Sequence, residues 1–305
     1  MGRFIARRIL QGAVLLILVT AIVFVLGRMT GNPVDMMLPE DATAEDRERL
    51  IRTLDLDGPI HSQFFTFVSN ALQGDLGTSI RMRQPALDVF LSRLPNTLAI
   101  IPWALLLAMV IGIPLGVIAA LYRGRFLDRA SGTIAVLGIA TPNFWLGIVL
   151  IFIFAVELGW LPSGRMGGPE HYVLPVITLG TFLTAGFMRL TRSSMLDVME
   201  SEYVKLARIK GLPEPVVVWK HSLRNALIPV LTLWGVFVGN LITGAIVTET
   251  VFAWPGVGRL TYEAVIYRDF PLLQAVIMLE AVLIVLVNLV VDILYAYVDP
   301  RIRYS

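Results

Sequence analysis

The sequence is dominated by six long apolar stretches, each about as long as a helix that crosses a lipid bilayer. A spanning helix needs roughly 20 consecutive, mostly apolar residues. Its backbone polar groups must be satisfied within the segment, because the hydrocarbon core offers no water, and an open strand cannot do this. The sequence therefore predicts an all-α, polytopic membrane protein with about six transmembrane helices. The stretches lie at residues 9–29, 97–122, 132–157, 172–190, 226–248 and 271–297.

The composition supports a membrane bundle and excludes several chemistries. Of the 305 residues, 56% are hydrophobic and only 16% are charged, whereas a soluble domain has charged residues at roughly a quarter of its positions. The chain contains no cysteine, which excludes disulfides and thiolate metal sites. His61, His171 and His221 are too scattered to suggest a metal site. We expect no catalytic residue, no metal ligand and no nucleic-acid partner.

The distribution of basic residues predicts the orientation of the chain in the membrane. Short cytoplasmic loops carry an excess of Lys and Arg. One set of short loops contains only Arg165, Arg259 and Arg268, whereas the other set is rich in arginine and holds all three lysines. The first apolar stretch is longer than a signal-peptide core and no cleavage site follows it, so it is interpreted as an uncleaved span. We therefore expect both termini to be cytoplasmic.

The chain divides into four predicted regions. These are an N-terminal transmembrane helix at 1–30, an external segment at 31–95, a transmembrane core at 96–298 and a cytoplasmic tail at 299–305. The core includes a cytoplasmic loop at 191–226. Within the external segment, the pattern predicts short helices at Ala44–Leu54, His61–Leu72 and Pro85–Leu94 and a turn at Gly74–Gly77.

Several spans contain helix-breaking residues. Proline removes a backbone donor and clashes with the preceding turn, and transporters use such breaks where the backbone lines a cavity. Proline and glycine are also common in ordinary membrane helices, so both interpretations remain open. The sites are Pro102, Gly112-Ile113-Pro114 with Gly116, Thr141-Pro142-Asn143, Pro175 and Pro229.

The loop between the fourth and fifth spans has the signature of a short capped helix. Helix-forming residues run from Glu202 to Lys210, Gly211 follows at a C-cap position, and Pro213 stops the helix. A second helical piece is predicted to start near Val216 and to run into the fifth span. By physical reasoning alone, a basic helix that rests on lipid head groups is at least as good an interpretation as a helix that binds a partner.

The same loop resembles the signature of the permease subunits of bacterial ABC importers, especially those of the dipeptide, oligopeptide and nickel branch, and most closely the first of the two dipeptide-type permeases. The matching residues are Tyr203 to Leu212 and His221 to Pro229. The resemblance extends over nearly the whole chain in the order of the family. Further matching segments are Gly74–Ser79, Arg93–Leu98, Thr141–Trp145, Leu161-Pro162 with Gly164, Glu249–Leu260, Asn288-Leu289, Val291-Asp292 and Asp299–Arg303.

The resemblance implies a fold, partners and a docking site. The fold is the transmembrane domain of a type I ABC importer in the bacterial inner membrane. The partners are a second homologous permease, two ATP-binding subunits, an external solute-binding protein and a peptide-like substrate, in addition to membrane lipid. The broader importer signature has Glu-Ala-Ala where this chain has Lys205-Leu206-Ala207, so the glutamate of that signature is missing here. The implied docking residues are Glu202, Tyr203, Lys205, Ala207, Arg208 and Gly211.

The chain has no P-loop of its own. A P-loop requires Gly-Lys, so that backbone amides and the lysine can cradle the phosphates. The three lysines follow Val204, Ile209 and Trp219. We therefore expect this chain not to be an enzyme and to hold no cofactor, and ATP and Mg²⁺ to be bound by partner subunits.

Polar residues within the last two spans are candidates for the transport pathway. Charges in lipid are costly and usually face a bundle interior or a water-filled path. Asn240, Glu280 and Asn288 are candidate pore-lining residues, and Asp292 is a candidate structural or gate charge. A purely structural pairing is an equally good interpretation for Glu280 and the better one for Asp292.

Two alternatives to an ABC permease remain at this point. An ion-coupled secondary transporter often shows inverted repeats and midplane carboxylates. Glu280 could serve in that role, but the sequence shows no clear internal repeat. A membrane scaffold without transport activity would need neither the breaks in the spans nor the capped cytoplasmic helix.

Overall fold

The computed structural model describes residues 2–29, 43, 45, 48 and 58–298. These residues are helical nearly throughout, and within them the one isolated β-bridge pairs Thr78 with Pro85. The predicted helix at Ala44–Leu54 and the tail at 299–305 lie outside the described residues. In chain order the helices are α1 (Gly2–Met29), α2 (Ile60–Leu72), α3 (Ala86–Leu121), α4 (Phe126–Ala140), α5 (Asn143–Leu150), α6 (Glu170–Met199), α7 (Glu202–Ile209), α8 (Glu214–Val216), α9 (Leu223–Val251), α10 (Val257–Ile266) and α11 (Phe270–Val298).

Two π-helical segments continue these helices without a break. The first, π1 (Ile151–Glu157), extends α5, and the second, π2 (Val217–Ser222), joins α8 to α9. Nothing in the hydropathy pattern predicted either segment.

The predicted membrane spans correspond to five straight helices and one bent pair. Among the described residues, segments of α1, α3, α6, α11 and the continuous helix that starts at Glu214 are long and apolar enough to cross a membrane. The third predicted span, 132–157, is different. Here Phe126–Ala140 and Asn143–Glu157 meet at an angle of 100°, so this stretch is two helices and not one straight span.

The bend occurs at the predicted breaker Thr141-Pro142. Thr141 adopts an extended backbone with φ −79° and ψ 119°, as expected for a residue that precedes proline. The backbone N–H and the hydroxyl of Thr141 both donate to the Leu137 carbonyl, at 2.9 and 2.7 Å. The Leu137 carbonyl near the end of α4 is therefore satisfied twice by Thr141.

Proline does not break α3. This 36-residue helix continues through Pro95, Pro102 and Pro114, and it also incorporates the short helix predicted at Pro85–Leu94. An interrupted helix would expose unpaired backbone groups to lipid, which is more costly than one missing donor. Pro175 and Pro229 likewise lie within α6 and α9.

Contacts divide the chain into two compact units. The first unit consists of residues 1–95 and 259–290, and the second of residues 96–258 and 291–305.

In the first unit, aromatic residues join α1 to α2. Phe24 is buried, and the centroid of its ring lies 5.4 Å from that of Phe64 and 5.6 Å from that of Phe67. Both partners belong to α2, and the helix predicted at His61–Leu72 is confirmed. The predicted turn is also present, with Gly74 and Gly77 at positive φ.

A buried carboxylate ties the loop after this turn to the start of α11. Asp269 is 2% exposed. It accepts hydrogen bonds from the Ser79 hydroxyl at 2.5 Å and from the backbone N–H groups of Ile80 and Arg81 at 3.1 and 3.2 Å. The Arg81 guanidinium lies 3.5 Å above the ring of Tyr267. The external segment is therefore anchored by specific contacts where it is described.

In the second unit, α6 packs against α4, α5 and α9. Glycines let α3 approach α6 closely, because a Cβ atom on Gly112 would lie 2.7 Å from the Thr184 carbonyl oxygen and one on Gly116 would lie 2.7 Å from that of Met188. Small residues four apart permit such backbone contact in membrane helices. Two of the predicted breakers are thus packing residues.

A polar cluster connects α3 to the end of α9. The part of α3 that belongs to the second unit begins at Asn96. Glu249 is fully buried and accepts a hydrogen bond from the Thr97 hydroxyl at 2.7 Å. The same hydroxyl accepts from the backbone N–H of Val257 at 2.8 Å. Nearby, the Trp254 indole N–H donates to the Asn96 carbonyl at 2.8 Å. Residues within Glu249–Leu260, a segment that carries part of the family resemblance, therefore have a structural role in this unit.

Candidate functional site

The predicted loop helix forms as α7, one residue shorter than predicted. Ser201 precedes it in an extended conformation, with φ −71° and ψ 150°, and the Ser201 hydroxyl donates to the Val198 carbonyl at 2.5 Å. Chain direction therefore changes sharply between α6 and α7. Glu202 lies in the first turn and Arg208 in the last, where their charges complement the helix dipole.

Gly211 ends α7 in the way its sequence position indicated. It has φ +76°, a conformation that glycine adopts without strain. The Gly211 N–H donates to the Arg208 carbonyl at 2.9 Å, and the Leu212 N–H donates to the Ala207 carbonyl at 3.3 Å. This pair of bonds is a Schellman motif, which fixes the end of α7 and turns the chain toward α8.

One face of α7 is buried against π2. Val204 is fully buried and Ala207 is 6% exposed, and both pack with fully buried Val217. Val198, at the end of α6, completes this cluster. Ala207 therefore lies on the buried face of α7 and supports the position of this helix.

The opposite face of α7 is an exposed apolar stripe. Ile209 is 79% exposed, Leu206 55%, Tyr203 41% and Leu212 36%. Residues three apart lie on the same side of a helix, so Tyr203, Leu206 and Ile209 form one surface, and Leu212 follows just after the helix ends. We call Tyr203, Leu206 and Ile209 the α7 stripe.

Ion pairs flank the α7 stripe. The Lys205 ammonium lies 2.7 Å from the Glu202 carboxylate, and the Arg208 guanidinium lies 2.7 Å from the Glu214 carboxylate. The hydrogen bonds from Arg208 to Glu214 raise the pKa of that guanidinium above its usual value. Arg208 therefore stays charged and connects the end of α7 to α8.

A side-chain hydrogen bond connects α7 to the fifth span. The Asn225 side-chain amide donates to the Tyr203 hydroxyl at 2.8 Å and to the His221 carbonyl at 3.3 Å. His221 belongs to π2 and Asn225 to the first turn of α9. Direct contacts therefore join α7 to π2 and α9.

An ion pair between α4 and α6 holds α6 near its end, before α7 begins. Asp128, at the start of α4, is 8% exposed. Its carboxylate accepts from the Arg192 guanidinium at 2.6 and 2.9 Å and from the Gly124 N–H at 2.8 Å. This two-pronged geometry is strong and directional, and it fixes the loop after α3 to the last turns of α6.

The structure brings the six predicted docking residues together on α7 and its C-cap. Their role in binding an ATPase stays a prediction. Sequence reasoning missed Leu206 and Ile209, although their spacing from Tyr203 is the signal of an apolar helix face. It also missed the Asp128–Arg192 pair, whose partners are 64 positions apart.

The candidate pathway residues occupy different surroundings, and their roles also stay predictions. Glu280 is 7% exposed and accepts a hydrogen bond from the Thr261 hydroxyl at 3.4 Å. Asn240 on α9 and Asn288 on α11 are exposed, and Asp292 is half-buried.

Sequence comparison identifies the family. The profile described as "Binding-protein-dependent transport system inner membrane component" matches residues 112–304, and the profile described as "Binding-prot-dependent transport system membrane comp, N-term" matches residues 1–101. The chain belongs to this family. The permease is 44% identical to the glutathione transport system permease protein GsiC of Escherichia coli (strain K12) and to that of Shigella dysenteriae serotype 1, over 306 residues that cover 100% of each chain.

The fold agrees with this assignment. The permease matches a solved structure of the MetNI methionine ABC transporter in an inward facing conformation with a TM-score of 0.60 at 19% identity, and the match covers 69% of this chain and 96% of that chain. The chain is therefore a multi-pass permease subunit of an ABC importer, with the predicted all-α, type I importer fold. These comparisons give no support to an ion-coupled secondary transporter.

Proposed function

We propose that this permease forms half of an ATP-driven import pathway for glutathione or other small peptides. The observation that carries the substrate class is the 44% identity to the glutathione permease GsiC over the full length of both chains. A second homologous permease completes the pathway, and an external solute-binding protein delivers the substrate. Dipeptides and oligopeptides belong to the same chemical class and are included in the proposal.

The α7 stripe is the proposed docking surface for the ATPase. An exposed apolar helix face flanked by charges is suited to a groove on a partner protein. The stripe lies on α7, which is held in place by its C-cap, its buried face and its ion pairs. A force applied to α7 is therefore not lost in a flexible loop. Glu202, Lys205 and Arg208 provide the charged rim of this surface, and Ala207 and Gly211 hold its backbone.

The motor of the importer is proposed to lie in two partner ATPase subunits. Since no lysine of this chain follows a glycine, the chain lacks the P-loop that would hold ATP and Mg²⁺. Closure of the ATPases on ATP draws α7 with them. The contacts of Val204 and Ala207 with Val217 and of Tyr203 with Asn225 then carry that movement into α9. The pathway thereby opens alternately to each side of the membrane.

Substitutions on the α7 stripe test the docking proposal. Ile209→Gln and Leu206→Gln remove apolar contacts and leave the buried face of α7 unchanged. We expect each to weaken ATPase co-purification by about tenfold or more, as for a central interface residue. Phe126→Gln is the matched control, because Phe126 is 81% exposed and lies at the start of α4. Native co-purification of both α7 variants would refute docking at this surface.

Uptake into proteoliposomes tests the energy source and the substrate. We expect the complete complex with its binding protein to accumulate labelled glutathione or a labelled dipeptide only when ATP is present on the ATPase side. A proton or sodium gradient without ATP should give no uptake. Uptake driven by such a gradient with the permease alone would overturn the proposal.

A further inference from the structure

The connection between the docking helix and the fifth span contains an unusual turn. In π2, the N–H of Leu223 donates to the carbonyl of Val218, five residues earlier, whereas an α-helix bonds four residues apart. A π segment contains a surplus residue relative to an α-helix, and such segments frequently occur at functional sites. Here the segment lies between α8 and α9, so any change in it alters the register of α9 relative to α7.

The first two residues of π2 are held by packing. Val217 is fully buried beneath Val204 and Ala207 of α7. Val218 packs with Met195 of α6 and Ala226 of α9. A displaced α7 therefore acts directly on π2.

The last residue of π2 has a hydroxyl that the observed geometry does not satisfy. Ser222 is fully buried, and its Oγ has no hydrogen-bond partner among the described residues. Several threonines in the α-helical parts of the chain donate to the carbonyl four residues earlier, as Thr178 does to Leu174 at 2.8 Å and Thr250 does to Ile246 at 2.7 Å. For Ser222 that carbonyl belongs to Val218, which is bonded to the Leu223 N–H in the π turn.

We propose that π2 is a register-shifting joint in which Ser222 and Asn225 are positioning residues with opposite preferences. Conversion of π2 to α geometry moves the surplus residue into the loop between α7 and α8. It changes the register between α7 and α9 by about 100° and about 1.5 Å, the rotation and rise of one helical residue. Ser222 favours the converted state, because its hydroxyl then reaches the Val218 carbonyl. Asn225 favours the observed state through its bonds to Tyr203 and His221.

This inference rests on the proposed docking of an ATPase on α7, and the two can be tested separately. Because the chain contains no cysteine, single Cys substitutions at successive positions from 228 to 236 can carry a spin label in the complete complex. The accessibility of the labels to oxygen in the lipid gives the rotational phase of α9. The phase is compared between the nucleotide-free complex and the complex trapped with ATP and vanadate.

We expect the rotational phase of α9 to shift by about 100°, the rotation that one residue contributes to an α-helix. Ser222→Ala should lower the ratio of shifted to unshifted complex by about fivefold, the effect of one buried hydrogen bond, and Asn225→Ala should raise it. Thr191→Val is the matched control, because the Thr191 hydroxyl is also buried and unbonded among the described residues but lies on α6. The control should leave the ratio unchanged.

An unchanged phase in a trapped complex that hydrolyses ATP would overturn the joint, even if the ATPase docks on α7. Equal effects of Ser222→Ala and Thr191→Val would also overturn it, since a general packing effect would then explain both. If the ATPase fails to bind the native permease, the docking proposal is itself refuted and the joint falls with it.

Discussion

At the scale of single residues, Thr97 and Glu249 show how the permease accommodates a carboxylate in its interior. A buried charged or polar group is costly unless it is hydrogen-bonded. The Thr97 hydroxyl donates to Glu249 and accepts from the Val257 N–H, so one side chain serves two buried groups. The cost of losing Thr97 should therefore exceed that of an ordinary buried threonine.

Thr97→Val should destabilise the permease by about 1–3 kcal/mol, because it leaves a buried acceptor and a buried donor without this partner. Thr178→Val is the matched control. Thr178 is also fully buried, but its hydroxyl donates only to a carbonyl of its own helix. The midpoint of thermal unfolding in detergent measures both effects. Equal midpoints for the two variants would contradict a special role for Thr97.

Ala207 marks the limit of sequence prediction at this scale. Its small size is visible in the sequence, but the reason for that size depends on what lies beside it. The structure places Val217 there, ten positions further along the chain. Burial of this kind depends on tertiary contacts, and a one-dimensional pattern does not contain them.

At the scale of helices, the close approach of α3 to α6 depends on Gly116. A Cβ atom there would lie 2.7 Å from both the Met188 carbonyl oxygen and the Thr191 Cβ. Gly116→Ala should therefore separate the two helices and cost about 1–3 kcal/mol of stability, as overpacking does elsewhere.

Gly132→Ala is the matched control for Gly116→Ala. Gly132 lies inside α4, and a Cβ atom there would have no neighbour within 4 Å. Alanine at that position should stabilise the permease by about 0.5–1 kcal/mol through its helix propensity. Thermal unfolding compares the two variants, and a stabilising Gly116→Ala would refute the packing role of Gly116.

Local sequence signals predicted α7 well and predicted α3 poorly, for a physical reason. Gly211 and Pro213 act through their own backbone preferences, which apply in any surroundings. Pro102 and Pro114 disfavour helical backbone, but the membrane environment strongly favours an unbroken helix. The environment has the larger effect, and α3 stays continuous. The π segments have no residue signature at all, since an ordinary apolar stretch such as Ile151–Glu157 suits either geometry.

At the scale of the whole molecule, the membrane topology can be tested with the same cysteine-free chain. Leu72 and Ile209 are 84% and 79% exposed, and the basic residues predict that they lie on opposite sides of the membrane. In intact cells that lack the ATPase subunits, a membrane-impermeant maleimide should label Leu72→Cys and not Ile209→Cys, and permeabilisation of these cells should allow both variants to be labelled. Labelling of both variants in intact cells would contradict the predicted orientation.

Hydropathy predicted most of this architecture, because the length of a spanning segment is fixed by the thickness of the bilayer. Five of the six predicted spans overlap straight helices of spanning length. The remaining one, 132–157, is apolar enough to be predicted as a span, but its 100° bend depends on the Thr141-Pro142 break.

The path of the chain at the bend decides whether it crosses the membrane an even or an odd number of times. A chain that starts and ends on the same side of a membrane must cross it an even number of times. The five straight helices contribute an odd number, so α4 with α5 and π1 must carry the chain across once for both termini to be cytoplasmic. If the bent pair instead returned to its side of origin, Leu72 and Ile209 would face the same compartment. The two labelling reactions therefore also report the path of the chain at the bend.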